Sequence, residues 1–192
     1  AGERYPVRLA PEPPWYSRST SRGVPMQRIG VMQGTYLGIY INPVCAFWSY
    51  RPGMQCQFCT TGVNVGAHES ETKNLDDVVE TVRAARDESG ITFVHLNGGF
   101  QGAKGIETAL PFIRAIKRDV GLLVGVQLTP ERDRSGYDAL IEAGVDHLSF
   151  CVELMDPEWF ARVCPGKAQM LGQDIFFETM TYCGARMPKG SV

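Results

Sequence analysis

The chain has 192 residues, of which 44% are hydrophobic and 21% are charged, with a formal net charge of -2. This length allows a sizeable core and most simply one domain, while the composition excludes a disordered chain and a strongly basic nucleic-acid-binding surface. The longest apolar stretches are too short to cross a bilayer, and the N-terminus lacks the apolar core of a secretory signal. We therefore expect a cytoplasmic protein.

The N-terminal residues 1–34 are predicted to form an arm, followed by a folded core over residues 35–192. The arm contains "APEPPWY" and shows neither helical nor strand periodicity, which is typical of an extended segment lying on a folded body. Trp15 and Tyr16 are its expected anchors, because large aromatic side chains gain most from burial.

Four short apolar runs are predicted to be parallel strands, at residues 36–44, 91–96, 122–128 and 147–153. Segments with helical spacing separate them. One is predicted to begin at a cap, Asn74, and to end at Gly90; the next contains Pro111, expected in or near its first turn. This alternation is typical of βα units in a parallel α/β sheet.

The number of predicted strands favours a partial barrel. A complete eight-unit barrel takes about 250 residues, whereas four strands are visible here. The predicted fold class is therefore α/β, a partial parallel (β/α) barrel truncated after about four strands. A second chain or a missing C-terminal segment is expected to complete it, because an unpaired parallel edge is an aggregation liability.

Three of the six cysteines, Cys45, Cys56 and Cys59, lie in one loop directly after the first predicted strand. Disulfides are disfavoured in a chain of this length and compartment. A structural zinc site normally needs four ligands, and His68 could supply a fourth. Three thiolates on a four-iron cluster would leave one iron open to an outside ligand.

This loop resembles the cluster-binding loop of the radical S-adenosylmethionine (radical SAM) enzymes, and loosely that of their biotin-synthase and hydrogenase-maturation members. The family carries three cysteines after the first strand of a partial barrel, most often spaced CxxxCxxC with an aromatic residue before the last. Here "CQFC" supplies the pair and Phe58 the aromatic residue. Ten residues separate Cys45 from Cys56, instead of three.

The resemblance implies a 4Fe-4S cluster held by the three cysteines and a bound S-adenosylmethionine. Gly98 and Gly99 of "NGGF" stand where the family has a GGE-type motif whose backbone receives the amino group of that cofactor. Glycine lets the chain approach a ligand closely. Phe100 replaces the acidic residue of that motif.

Further cofactor-binding residues are implied around the fourth predicted strand. Glu153 occupies the place of a polar residue that holds the ribose hydroxyls, and Ser149 shares its expected strand face by the period of two. A basic residue after this strand pairs with the methionine carboxylate in many relatives. Arg162 and Lys167 are both candidates for it, and the sequence does not choose between them.

The implied reaction is reductive cleavage of S-adenosylmethionine to methionine and a 5′-deoxyadenosyl radical, which abstracts hydrogen from an unidentified substrate. Since this needs a cluster of low potential, an electron donor such as flavodoxin or ferredoxin is implied. Asn97 and Gln127 are candidate substrate contacts because they lie at the ends of neighbouring predicted strands. Cys151 is a third candidate because it shares the expected inward face of the fourth strand with Ser149 and Glu153. The two amides could equally cap loops, and Cys151 could be a buried small hydrophobe.

Two other functions stay open on the sequence alone. One is a non-catalytic module in which the thiols hold zinc or an iron–sulfur cluster for structural reasons. The other is a metal-free α/β barrel enzyme acting on a phosphorylated substrate. His95, which alternates with Asn97, is compatible with an interior histidine whose hydrogen bonds are satisfied.

Overall fold

The computed structural model describes residues 2–102 and 104–192, and over these residues the chain is an α/β fold with a five-stranded sheet in the order β1-β2-β3-β4-β5. The strands are β1 (Val31–Gln33), β2 (Tyr36–Tyr40), β3 (Phe93–Asn97), β4 (Leu123–Gln127) and β5 (His147–Ser149). Strands β2 to β5 are parallel, which confirms the predicted α/β class. The antiparallel strand β1 was not predicted.

The helices are α1 (Thr61–Asn64), α2 (Leu75–Ser89), α3 (Gly105–Asp119), α4 (Ser135–Glu142), α5 (Pro157–Val163), α6 (Pro165–Met170) and α7 (Asp174–Gly184). The predicted caps of α2 are confirmed: the Asn74 side chain accepts from Asp76 N, and Gly90 ends the helix with φ 66°. Pro111 lies inside α3 rather than in its first turn, so that expectation was wrong. None of these helices is long and apolar enough to cross a bilayer.

The fourth parallel strand is shorter than predicted. Strand β5 ends at Ser149, and Cys151 and Glu153 follow it in irregular backbone. Glu153 has φ 73°, a left-handed conformation that ends any period-two alternation. The expectation that Ser149, Cys151 and Glu153 share one strand face was therefore wrong.

The N-terminal segment is partly built into the fold. Trp15 is fully buried and its indole N–H donates to Ser89 Oγ at 3.1 Å, while the Tyr16 hydroxyl accepts from Met32 N at 2.8 Å. Both predicted anchors thus contact the folded body. Residues 2–12, in contrast, are exposed and have no regular secondary structure.

The two faces of the sheet differ. On the helix-packed face, Val94, Leu96, Val124 and Val126 are at most 1% exposed and belong to the main core. The other face, here called the open face, carries residues of the opposite parity, most of them half-buried.

Strand register arranges the open face in rows. The upper row, at the carboxyl ends, is Tyr40, Asn97, Gln127 and Ser149. The row below it, here called the histidine row, is Gly38, His95, Gly125 and His147. Polar side chains therefore meet at the edge of the sheet where parallel α/β folds place their sites.

Candidate functional site

A cavity of about 270 Å³ opens at the carboxyl ends of β2 to β5. Its volume is at the lower edge of the range of small-molecule pockets, roughly 300–1,000 Å³. Eleven of the thirteen residues singled out from the sequence line it: Cys45, Cys56, Cys59, Phe58, Asn97, Gly98, Gly99, Gln127, Cys151, Glu153 and Lys167. Residues up to 122 positions apart in the sequence thus share one cavity.

The first cysteine is held against the loop that follows β3. Cys45 precedes a 3-10 turn, Ala46–Trp48, whose first backbone N–H donates to Phe100 O at 2.8 Å. A Cβ on Gly99 would overlap the Cβ of Cys45 and would lie 2.7 Å from the Tyr40 hydroxyl. The absence of a side chain at Gly99 is therefore what lets the two loops touch.

The "CQFC" turn brings the other two thiols to the same cavity. Cys59 N donates to Cys56 O at 3.0 Å, which closes the turn, and the Cys59 sulfur lies 3.0 Å from Thr61 Oγ1. Gln57 fastens the turn to the end of α5, because its backbone N–H donates to Val163 O at 2.9 Å. Phe58 remains 56% exposed at the cavity rim.

Burial disfavours the thiolate form of two of these cysteines. It raises the pKa of Cys56 to about 12, and the nearby Lys167 ammonium opposes that rise. Burial also raises the pKa of the Cys45 thiol, with the backbone N–H groups of Phe47 and Phe100 acting in the opposite direction. A metal bound here would displace protons, and Lys167 would favour the resulting negative charge.

The Gly98–Gly99 backbone lines the cavity. Gly99 N donates to the Tyr40 hydroxyl at 3.0 Å, and Gly98 N donates to Gln127 O at 3.0 Å. The carbonyl oxygens of both glycines accept no hydrogen bond from the described residues. These oxygens are therefore available as acceptors for an ammonium or amino donor.

Lys167 and Glu153 form an ion pair on the opposite wall. Lys167 Nζ donates to Glu153 Oε1 at 2.7 Å and to Cys151 O at 2.8 Å, and lies 5.6 Å from the centre of the Phe176 ring. Lys167 is only 8% exposed. Glu153 is the one described non-glycine residue with a positive φ. Such a conformation is costly and persists where the surroundings impose it.

Three other candidates lie elsewhere. Arg162 stacks on the Trp159 ring at 4.4 Å and does not line the cavity, so position favours Lys167 over Arg162 as its cationic group. Ser149 does not line the cavity; it pairs in register with Gln127, and their side-chain oxygens are 3.4 Å apart. His68 lines a separate surface pocket beside Arg28, and no cysteine lines that pocket.

The candidate substrate contacts form one edge of the cavity. Asn97 and Gln127 are paired in register on β3 and β4, and Asn97 Nδ2 donates to His95 O at 3.3 Å. Burial raises the pKa of the Cys151 thiol, and the Glu153 carboxylate raises it further. Cys151 is thus a neutral thiol on the wall.

The sequence interpretation missed Tyr40, Thr61 and Phe176, which also line the cavity. Tyr40 could have been predicted, because it is the last residue of β2 and lies on the same sheet face as Asn97, its register partner on β3. It also missed Asn42, which is 1% exposed with both side-chain polar atoms lacking partners among the described residues. Asn42 occupies the space that a Cβ on Gly98 would need.

Across residues 2–102 and 104–192, no three His, Cys, Asp or Glu side chains converge as ligands of a single metal ion. All six cysteines are free thiols. Comparison with models of known protein families and with curated proteins found no match.

Proposed function

We propose that the protein is a radical SAM enzyme in which Cys45, Cys56 and Cys59 hold a 4Fe-4S cluster. The observation that carries this is that all three thiols line one cavity with the Gly98–Gly99 backbone and Lys167. The open face would be the inner face of a partial (β/α) barrel. Further strands, from a second chain or another segment, would extend it.

The donor set suits a cluster. Each thiolate binds a different iron, so the three sulfurs need to surround a cavity rather than converge on a point. The Phe47 and Phe100 backbone N–H groups act on the Cys45 sulfur, and such hydrogen bonds adjust cluster potentials. His68, the fourth zinc ligand considered from the sequence, lines another pocket, which disfavours that particular zinc ligand set.

The remaining walls suit S-adenosylmethionine. The free carbonyls of Gly98 and Gly99 would accept from its amino group. Lys167 donates two of its three N–H groups to Cys151 O and Glu153. The third could donate to the methionine carboxylate. Glu153 has one oxygen in the ion pair and a second for the ribose hydroxyls.

A reduced cluster held by Cys45, Cys56 and Cys59 would supply the electron for reductive cleavage of S-adenosylmethionine. The chain's own part is to bind, orient and exclude water. Phe47 and Phe100 stack at 4.5 Å with Met54 in a small apolar cluster beside Cys45. Asn97, Gln127 and Cys151 would contact the substrate, and flavodoxin or ferredoxin would deliver the electron.

Anaerobic reconstitution with iron and sulfide tests the proposal. The wild-type chain should turn brown and, with dithionite and S-adenosylmethionine, release 5′-deoxyadenosine measured by chromatography. Cys45→Ala, Cys56→Ala and Cys59→Ala should each lose most bound iron. The matched control is Cys183→Ala, at a buried thiol that does not line the cavity.

Three results would contradict the proposal. A colourless protein that retains stoichiometric zinc would favour the structural module. Iron bound equally by the triad variants would remove the assigned ligands. A cluster without any cleavage of S-adenosylmethionine would leave only a non-catalytic iron–sulfur module.

A further inference from the structure

The open face carries two histidines directly below the cavity. His95 on β3 and His147 on β5 both pair in register with Gly125 on β4, so the two rings flank a position without a side chain. Their ring centres are 6.1 Å apart. A Cβ on Gly125 would lie 3.2 Å from His95 Cδ2 and would overlap the Phe93 ring. Glycine at this position therefore lets the rings approach each other.

The surroundings of this pair are aromatic and carry no formal charge. The Phe93 ring lies 5.7 Å from His95 and 6.4 Å from His147, and the Tyr36 ring lies 6.0 Å from His95. Strand register assigns eleven residues of β2 to β5 to the open face, and Val31 and Gln33 of β1 lie there too; the eleven are Tyr36, Gly38, Tyr40, Phe93, His95, Asn97, Leu123, Gly125, Gln127, His147 and Ser149. None is Asp, Glu, Lys or Arg, so the histidines are the only groups there that become cationic near neutral pH.

His95 has an unused polar atom. Its Nε2 is buried and has no hydrogen-bond partner among the described residues, contrary to the expectation of a satisfied interior histidine. Burial lowers the pKa of His95, and the charge of His147 lowers it further. Such an unpaired buried group is costly, so each instance in a folded protein calls for an explanation.

We propose that His95 and His147 form a binding site for an oxyanion of the substrate, a carboxylate or a phosphate group. The assignment to substrate rests on the proposed function, whereas the anion site itself does not. The histidine row lies two residues below the upper row, about 7 Å along the strands. A substrate held by Asn97 and Gln127 at the cavity would extend its anionic group down to the imidazoles.

The geometry favours an anion over a metal cation. Two imidazoles without a nearby carboxylate are too few for the four ligands of a zinc site. An oxyanion between the rings would accept a hydrogen bond from each imidazole and would relieve their mutual repulsion once they are protonated. Tyr36 and, one row above, Tyr40 are the other titratable groups on this face.

Binding should depend on pH, because an anion stabilises the imidazolium form of each ring. The affinity should therefore increase as the pH falls from 7.5 to 6. A shift of one pKa unit corresponds to a tenfold change in affinity between the protonation states.

The chain contains three histidines, so His68 serves as an internal control. The ring C–H signals of the full chain, without iron, would be titrated by NMR with inorganic phosphate, with acetate and with chloride at equal ionic strength. We expect phosphate or acetate to shift the ring C–H signals of His95 and His147 and to raise the pKa of His95 by at least half a unit, while the His68 signals stay unchanged. The anion that acts at the lower concentration identifies the substrate's group.

His147→Gln should weaken binding at least tenfold, whereas His68→Gln should leave it unchanged. Equal shifts with chloride, or the same shift at His68, would mean a general salt effect and overturn the proposal. So would the absence of any shift at both open-face histidines. Failure of the radical chemistry would appear separately, as loss of 5′-deoxyadenosine formation with the anion shifts intact.

Discussion

The helix-packed face and the open face of the sheet share the same strands but differ in their residues. Leu96 on β3 is fully buried against the core, while its neighbours His95 and Asn97 point to the other side and stay half-buried. One strand thus serves two purposes with alternate residues: one parity stabilises the fold, and the other places polar groups on the open face.

The largest expected effect is on the free energy of unfolding, which should respond differently to substitutions on the two faces. Leu96→Ala should lower the free energy of unfolding by about 2–5 kcal/mol, because it leaves a cavity in a closely packed core. Gln127→Ala, on the open face of β4, should change it by no more than about 0.5–1 kcal/mol. Urea unfolding followed by circular dichroism measures both. Similar losses would mean that the open face also carries the fold.

The next effect lies at the contact between the Cys45 loop and the loop after β3. Gly99→Ala should cost about 1–3 kcal/mol, since its Cβ would overlap the Cys45 Cβ, and should also reduce iron loading. Gly184→Ala is the matched control, because that helical glycine has open space around it and the change should be neutral or stabilising. An unchanged iron content in Gly99→Ala would contradict the assigned role.

A smaller effect is expected at the ion pair on the cavity wall. Lys167→Met should cost about 1–2 kcal/mol by leaving the Glu153 carboxylate without its donor. The double variant with Glu153→Gln should recover part of that loss, which a double-mutant cycle in urea measures. Arg162→Met is the control, and a loss as large as that of Lys167→Met would contradict the preference for Lys167.

The smallest effect concerns pH. Folding lowers the pKa of His95, so the unfolded chain takes up a proton at a higher pH than the folded chain does. The free energy of unfolding should therefore decrease as the pH falls below about 6.5. His95→Gln should flatten this dependence, whereas His68→Gln should not. The measurement needs a buffer free of phosphate and carboxylate, since an oxyanion on the histidine row would reverse the sign.

Several features followed from the sequence because local chemistry determines them. Asn74 and Gly90 end α2 through hydrogen bonds and backbone preferences within a few residues. Short apolar runs located β2, β3 and β4, and the cysteine loop was placed correctly at their carboxyl ends. Helices α5 and α6 were not predicted. The start of α5 was nevertheless marked in the sequence, by Pro157 and by the cap Asp156, whose side chain accepts from Trp159 N.

Other features were decided only by tertiary structure. Arg162 and Lys167 are equivalent as sequence, and the packing of α6 alone brings Lys167 to Glu153. The left-handed backbone of Glu153 and the partnerless atoms of Asn42 and His95 arise from contacts across the chain. The sequence by itself determined the periodicity, the caps and the gathering of three cysteines, because these depend on near neighbours. Which side chains meet around the cavity depended on long-range packing, which no local pattern encodes.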